Sequence, residues 1–101
     1  MTLMSRIPQS DIFKDKAFVD GQWVGAKSGR TFEVTDPATG QTVGTVPDMG
    51  EDDAEAAIAA AARAWESWKT TTGKARAAIL RRWFDLIVAH QQDLATIMTA
   101  E

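Results

Sequence analysis

Up to Pro47 the apolar residues of the chain recur at every second position or in short β-branched runs; from Glu51 onward they recur every three to four. Strand side chains alternate between two faces, whereas helix side chains stack at the wider spacing, so the switch divides the chain into a strand half and a helix half. In the first half, Ala17-Phe18-Val19 and Gln22-Trp23-Val24 flank Asp20-Gly21. That residue pair tolerates the left-handed backbone of a two-residue turn and predicts a small hairpin, with Phe18 and Trp23 facing the core. Ala26 to Arg30 reads as a second turn, and Thr31-Phe32-Glu33-Val34-Thr35 alternates as a half-buried strand does. Asp36-Pro37-Ala38-Thr39-Gly40 then reverses the chain: the proline presets its backbone angle, the aspartate bonds to the following backbone, and the glycine takes the left-handed conformation. The returning strand runs from Gln41 to Pro47.

The helix half opens on a narrow stripe of Ala54, Ala57, Ile58, Ala61, Ala62, Trp65 and Trp68, which predicts a helix over 51–68. Asp52 and Glu55 have the spacing of a capping box, and acids in the first turn suit the positive end of the helix dipole. Thr70-Thr71-Thr72 with Gly73 breaks this helix, and Thr72 caps the next, predicted over 73–99. Its stripe is Ile79, Trp83, Ile87, Leu94 and Met98, widened by Leu80, Phe84 and Ile97, with a weakening at His90 to Asp93. So apolar a helix must dock on something. Residues 1–16 carry only isolated apolar side chains and predict an arm, with Ser10 or Asp11 capping one short turn that ends by Lys16. A second unit covers 17–101, an antiparallel strand set followed by two helices, of α/β or α+β class and incomplete as a domain.

Charge and composition then remove function classes. A net charge of -3 argues against a nucleic-acid binder, which needs clustered Lys and Arg. With no cysteine there is no disulfide, no zinc-thiolate centre and no thiol nucleophile. The N-terminus fits neither a secretory signal nor a membrane span, so a cytoplasmic setting is expected. His90, the only histidine, lies between Ala89 and Gln91-Gln92, which supply no catalytic or metal partner. Arg76, Arg81 and Arg82 read as a solvated helix face rather than an anion grip, and Asp52, Asp53 and Glu55 as helix N-terminal charge rather than a cation cluster. Trp23, Trp65, Trp68 and Trp83 read as packing residues rather than a stacking platform. Gly21, Gly25 and Gly29 precede no helix and so make no phosphate cradle. No nucleophile and base stand together.

In order and spacing, several of these segments resemble the N-terminal segment of the NAD(P)-dependent aldehyde dehydrogenases. They are Ala17 to Val24, the turn Asp36 to Gly40, Gly44-Thr45-Val46-Pro47, the alanine-rich helix, and Arg76 with Leu80-Arg81-Arg82 and Leu86-Ile87. Within that superfamily Ile12-Phe13, Val46 to Gly50, Arg82-Trp83-Phe84 and His90 to Ala95 are similar to the bacterial succinate-semialdehyde dehydrogenases. The resemblance implies the first strands and helices flanking a Rossmann-type cofactor domain, with a cysteine nucleophile, a glutamate base and an asparagine amide that all belong to later parts of the family's chain. It implies NADP or NAD in the intact enzyme and none on this piece. The partners implied are the remainder of the enzyme chain and a small aldehyde, within a homo-oligomer and with no nucleic acid or membrane. Some members hold a monovalent cation through backbone carbonyls at positions matching Val34 and Thr35. The expected function is therefore that of an inactive N-terminal piece of an enzyme oxidising succinate semialdehyde to succinate. The alternatives are another aldehyde, such as glutarate semialdehyde or betaine aldehyde, or a stand-alone helical interaction module that hides its stripes by association.

Overall fold

The computed structural model describes residues 12–101, which form four strands followed by three helices. Strands β1 (Ala17–Val19) and β2 (Gln22–Val24) pair antiparallel, with Phe18 opposite Trp23. The turn between them places Asp20 at φ 53° and Gly21 at φ 77°, the doubly left-handed geometry that their identities favour. Strands β3 (Thr31–Thr35) and β4 (Thr42–Pro47) form a separate antiparallel pair. Its turn is closed as the sequence predicts: the Asp36 carboxylate accepts from the Ala38 N–H at 2.8 Å, and the Gly40 N–H, at φ 74°, donates to the Asp36 carbonyl at 2.7 Å. The ladder slips between Val34 and Thr35, where Val43 is the extra residue of a bulge. No parallel strand pair, and hence no βαβ unit, occurs among the described residues.

Helix α1 spans Glu51–Trp68, as the stripe predicts, but with a different face inward. Asp53, Ala57 and Ala60, spaced four and three apart, turn toward the first hairpin, while Ile58 and Trp65 stay 68% and 52% exposed. The hairpin turn comes close because alanine offers no bulk, and Ala60 is buried there. Helix α2 spans Gly73–Ala89 and is capped as expected, the Thr72 hydroxyl accepting from the Ala75 N–H at 3.1 Å. Helix α3 spans Gln91–Ala100. The helix expected over 73–99 is thus two: His90, at φ -108° and ψ 20°, ends α2 with its N–H on the Leu86 and Ile87 carbonyls and starts α3 with its own carbonyl accepting from Leu94. Asp93 then lies in the first turn of α3, where a negative charge suits the dipole.

That break redirects α3. Ala100, 1% exposed, packs with Ile97 against Val43 of β4 and against Phe13, forming the core cluster of the described residues. Residues 13–16 are not helical, so the turn expected to end at Lys16 is not formed there; its start lies outside the described residues. Phe18 and Trp23 face each other, with ring centroids 4.9 Å apart and tilted by 41°, rather than a core. Both remain exposed among the described residues, at 61% and 46%, although α1 meets the hairpin at its turn. The radius of gyration is 16.6 Å, against about 13 Å for a compact domain of this length.

Candidate functional site

The polar residues are spent on local structure. Asp53, 8% exposed, takes the Gly50 N–H at 2.9 Å on Oδ2 and the Lys27 N–H at 3.1 Å on Oδ1, locking the start of α1 to the loop between β2 and β3. The Gly50 bond, followed by the Lys27 bond, holds its carboxyl below the ordinary carboxylate range, with a smaller push upward from burial. The capping role expected of Asp52 and Glu55 belongs instead to Gly50 and Asp53, two residues earlier. Placing the N-cap at Gly50 would have shown this, since Asp53 then occupies the third helical position; the bond to Lys27, 26 residues away, left no signal in the sequence.

Arg76 departs from the expected solvated face. Its Nε donates to the Thr71 hydroxyl at 2.9 Å, its Nη2 donates to the Trp68 carbonyl at 2.9 Å, and its guanidinium lies 5.1 Å from the Trp68 ring centroid. It adds a donor to a carbonyl at the end of α1 that also accepts from the Thr71 N–H and hydroxyl, and so fixes the corner into α2. Arg81 reaches Asp85 at 3.9 Å on an exposed face, a pairing worth little. Arg82 is exposed, and so is His90. The hydroxyls of Ser67, Thr70, Thr71 and Thr96 donate to helix carbonyls. Among the described residues no three His, Cys, Asp or Glu side chains gather as a metal site. Gly21 and Gly29 lie in turns between strands and Gly25 just beyond β2; no helix follows any of them directly.

Val34 and Thr35 flank the bulge, Val34 half-buried and Thr35 exposed. Val34 also lines a cleft of about 200 Å³ with Phe13, Trp23, Val43 and Ile97. Two backbone carbonyls are few for a hard cation, which takes about six oxygens.

What remains is an apolar surface. Helix α2 buries no residue: Ile79, Leu80, Trp83, Phe84, Leu86, Ile87 and Val88 are all 45–61% exposed. Trp65 and Trp68 extend that surface along α1, at 52% and 38%. The packing expected of the helix tryptophans is therefore not met within these residues, although the spacing that places them on docking faces is. The chemistry available here is association, and no described helix is long and apolar enough to cross a membrane.

Comparison with known proteins gives that surface a context. The model of the Aldehyde dehydrogenase family matches residues 23–101. Over 98 residues, 97% of this chain and 20% of the relative, the sequence is 47% identical to a 3-sulfolactaldehyde dehydrogenase of Pseudomonas putida. It is 46% identical over 96 residues to the NADP(+) succinate-semialdehyde dehydrogenase of Escherichia coli K12, covering 95% of this chain and 20% of that one. A crystal structure of succinate-semialdehyde dehydrogenase from Burkholderia pseudomallei superimposes with a TM-score of 0.87 at 49% identity, over 91% of this chain and 19% of that one. The chain spans about a fifth of the length of these proteins.

Proposed function

Because the chain belongs to the aldehyde dehydrogenase family, we propose that it forms the outer N-terminal part of an NAD(P)-dependent enzyme that oxidises succinate semialdehyde to succinate. In that reaction the aldehyde and water give a carboxylate while a hydride passes to the nicotinamide. This part supplies none of the reacting groups, having no cysteine and, among the described residues, no nucleophile paired with a base. Nor do its residues fit the cofactor. Helix α1 opens on Glu51, Asp52 and Asp53, and the Asp53 carboxylate already occupies the Gly50 N–H, so a phosphate would meet negative charge instead of free donors. NADP or NAD and the aldehyde accordingly belong to the rest of the enzyme, which we take to be a cytoplasmic homo-oligomer without nucleic-acid or membrane partners. Residues 1–16 act as an arm and 17–101 as the leading portion of the cofactor-binding domain. A monovalent cation at the Val34 and Thr35 carbonyls would draw its remaining oxygens from elsewhere.

The observation that carries this reading is α2, whose large apolar side chains are all exposed, in a sequence nearly half identical to enzymes about five times longer. The preference for succinate semialdehyde rests on likeness to enzymes named for it. The substrates in the names of the two sequence relatives share a short aldehyde with an anion at its far end. Enzyme from the complete reading frame should reduce NADP+ or NAD+ with succinate semialdehyde faster than with glutarate semialdehyde, 3-sulfolactaldehyde or betaine aldehyde. The 101 residues alone should reduce neither cofactor. Aldehyde-dependent reduction by the 101 residues, or a complete enzyme selective for betaine aldehyde, would overturn the proposal.

A further inference from the structure

The turn between β1 and β2 holds the one aspartate of this chain that is followed by glycine. Asp20 precedes Gly21, every other aspartate precedes a residue that carries a side chain, and the chain has no asparagine. An aspartyl carboxyl closes a five-membered ring when the next backbone nitrogen reaches its Cγ, and a glycine nitrogen, unshielded by a Cβ, makes that approach most easily. Here the approach is open. A Cβ added to Gly21 would meet nothing within 4 Å, and Gly21 lies outside the ladder that pairs Val19 with Gln22. The Asp20 side chain is 70% exposed, and toward α1 the turn faces Ala57, Ala60, Ala61 and Ala64 across a space of about 330 Å³, room enough for the carboxyl to turn.

One contact opposes the ring. Arg63 of α1 holds Asp20 Oδ2 at 3.5 Å from its Nη2, and the carboxyl must leave that partner before Cγ can lie over the Gly21 nitrogen. The restraint is partial, because an exposed ion pair is weak and a hairpin of two three-residue strands opens locally. We infer that Asp20-Gly21 is a site of spontaneous backbone isomerisation, slowed by the tie from Arg63. The Gly21 nitrogen bonds to Cγ of the protonated carboxyl, and the amide proton leaves with the carboxyl hydroxyl as water, giving a succinimide. Water then opens the ring. Attack at Cγ restores aspartate; attack at the Asp20 α-carbonyl leaves the chain joined through Cγ, with a free α-carboxylate. Water is the only other reactant. The second product adds a methylene to a turn whose two left-handed residues set the strand register, so it releases Phe18 from Trp23 and the turn from Arg63. It also presents an isoaspartyl group, the chemical class that carboxyl methyltransferases for altered aspartate act on.

The test holds the 101-residue chain in warm neutral buffer for weeks, digests it with trypsin, and treats the peptides with a protein-isoaspartate methyltransferase and labelled S-adenosylmethionine, against an unincubated sample. The peptide from Ala17 to Lys27 has Asp20 as its only carboxylate side chain, so its label reports this site alone. It should gain label faster than any other peptide. Arg63→Ala should speed the gain about twofold to fivefold, the most that an exposed ion pair holds back, and Arg63→Lys, which keeps a cation there, should restore the slow rate. Arg81→Ala, which breaks the exposed pair with Asp85 on α2, should leave it unchanged. Asp20→Asn closes the same ring with ammonia as the leaving group and keeps a residue that tolerates left-handed backbone, so its peptide should convert to the mass of the aspartyl form. An unlabelled peptide, label that other aspartates gain as fast, or an Asp20→Asn chain that stays intact overturns the isomerisation. An unchanged rate in Arg63→Ala, or a rate in Arg63→Lys as fast as in Arg63→Ala, overturns the restraint.

Discussion

Helices α2 and α3 are separated by one residue and share an apolar stripe in the sequence, yet they end in opposite states. Helix α3 is the shorter, and its Ala100 is 1% exposed beneath Phe13 and Val43. Helix α2 carries the bulkier residues and buries none of them. Amphipathic strength therefore did not decide which helix is sheltered. Position did: the break at His90 turns α3 back onto β4, which was already built, while the flanks of α2 find no surface among the described residues.

The comparison breaks most readily at its buried end. Ala100→Leu should overpack the cluster with Phe13, Val43 and Ile97 and cost about 1–3 kcal/mol, read as faster exchange of the α3 amides. Thr72→Ala removes the acceptor for the Ala75 N–H and should cost about 1 kcal/mol, confined to the first turn of α2 in the same measurement. Asp53→Asn should give a smaller loss near neutral pH. Because the folded carboxyl titrates below its unfolded value, its contribution is complete above the unfolded pKa and is lost as pH falls through the folded one. Urea midpoints followed from neutral into acid should therefore decline less steeply for Asp53→Asn than for the unsubstituted chain. Trp83→Ala should be the mildest. Within the chain alone it should shift stability by no more than about 0.5 kcal/mol while reducing binding of a hydrophobic dye, since Trp83 is 61% exposed. A large destabilisation there would mean that α2 packs in solution.

Local chemistry was readable in advance. The Asp20-Gly21 and Asp36 to Gly40 turns, β3 at Thr31–Thr35, α1 at Glu51–Trp68 and the Thr72 cap depend on neighbours a few residues away, and each is where its sequence predicts. Features that join distant residues were not readable. Asp53 reaching Lys27, Phe13 meeting Ala100, and the choice of Ala57 and Ala60 over Ile58 and Trp65 as the inner line of α1 depend on which surfaces the chain brings together. Phe18 and Trp23 show the same limit. Alternation identified their strand, but the layer that would cover them is absent among the described residues. Of the candidate site, Ile79, Leu80, Trp83, Phe84 and Ile87 of α2 were legible from their spacing, whereas Leu86 and Val88, which widen the exposed surface, were not.

The seam between Phe13, Val43 and Ala100 also sets an order of events during synthesis. A ribosome releases the hairpins first, then α1 and α2, and only some seconds later, at about 5–20 residues per second, the helix that completes the seam. Through that interval the β4 side of the seam lacks its mate and α2 emerges with its hydrophobic arc in water.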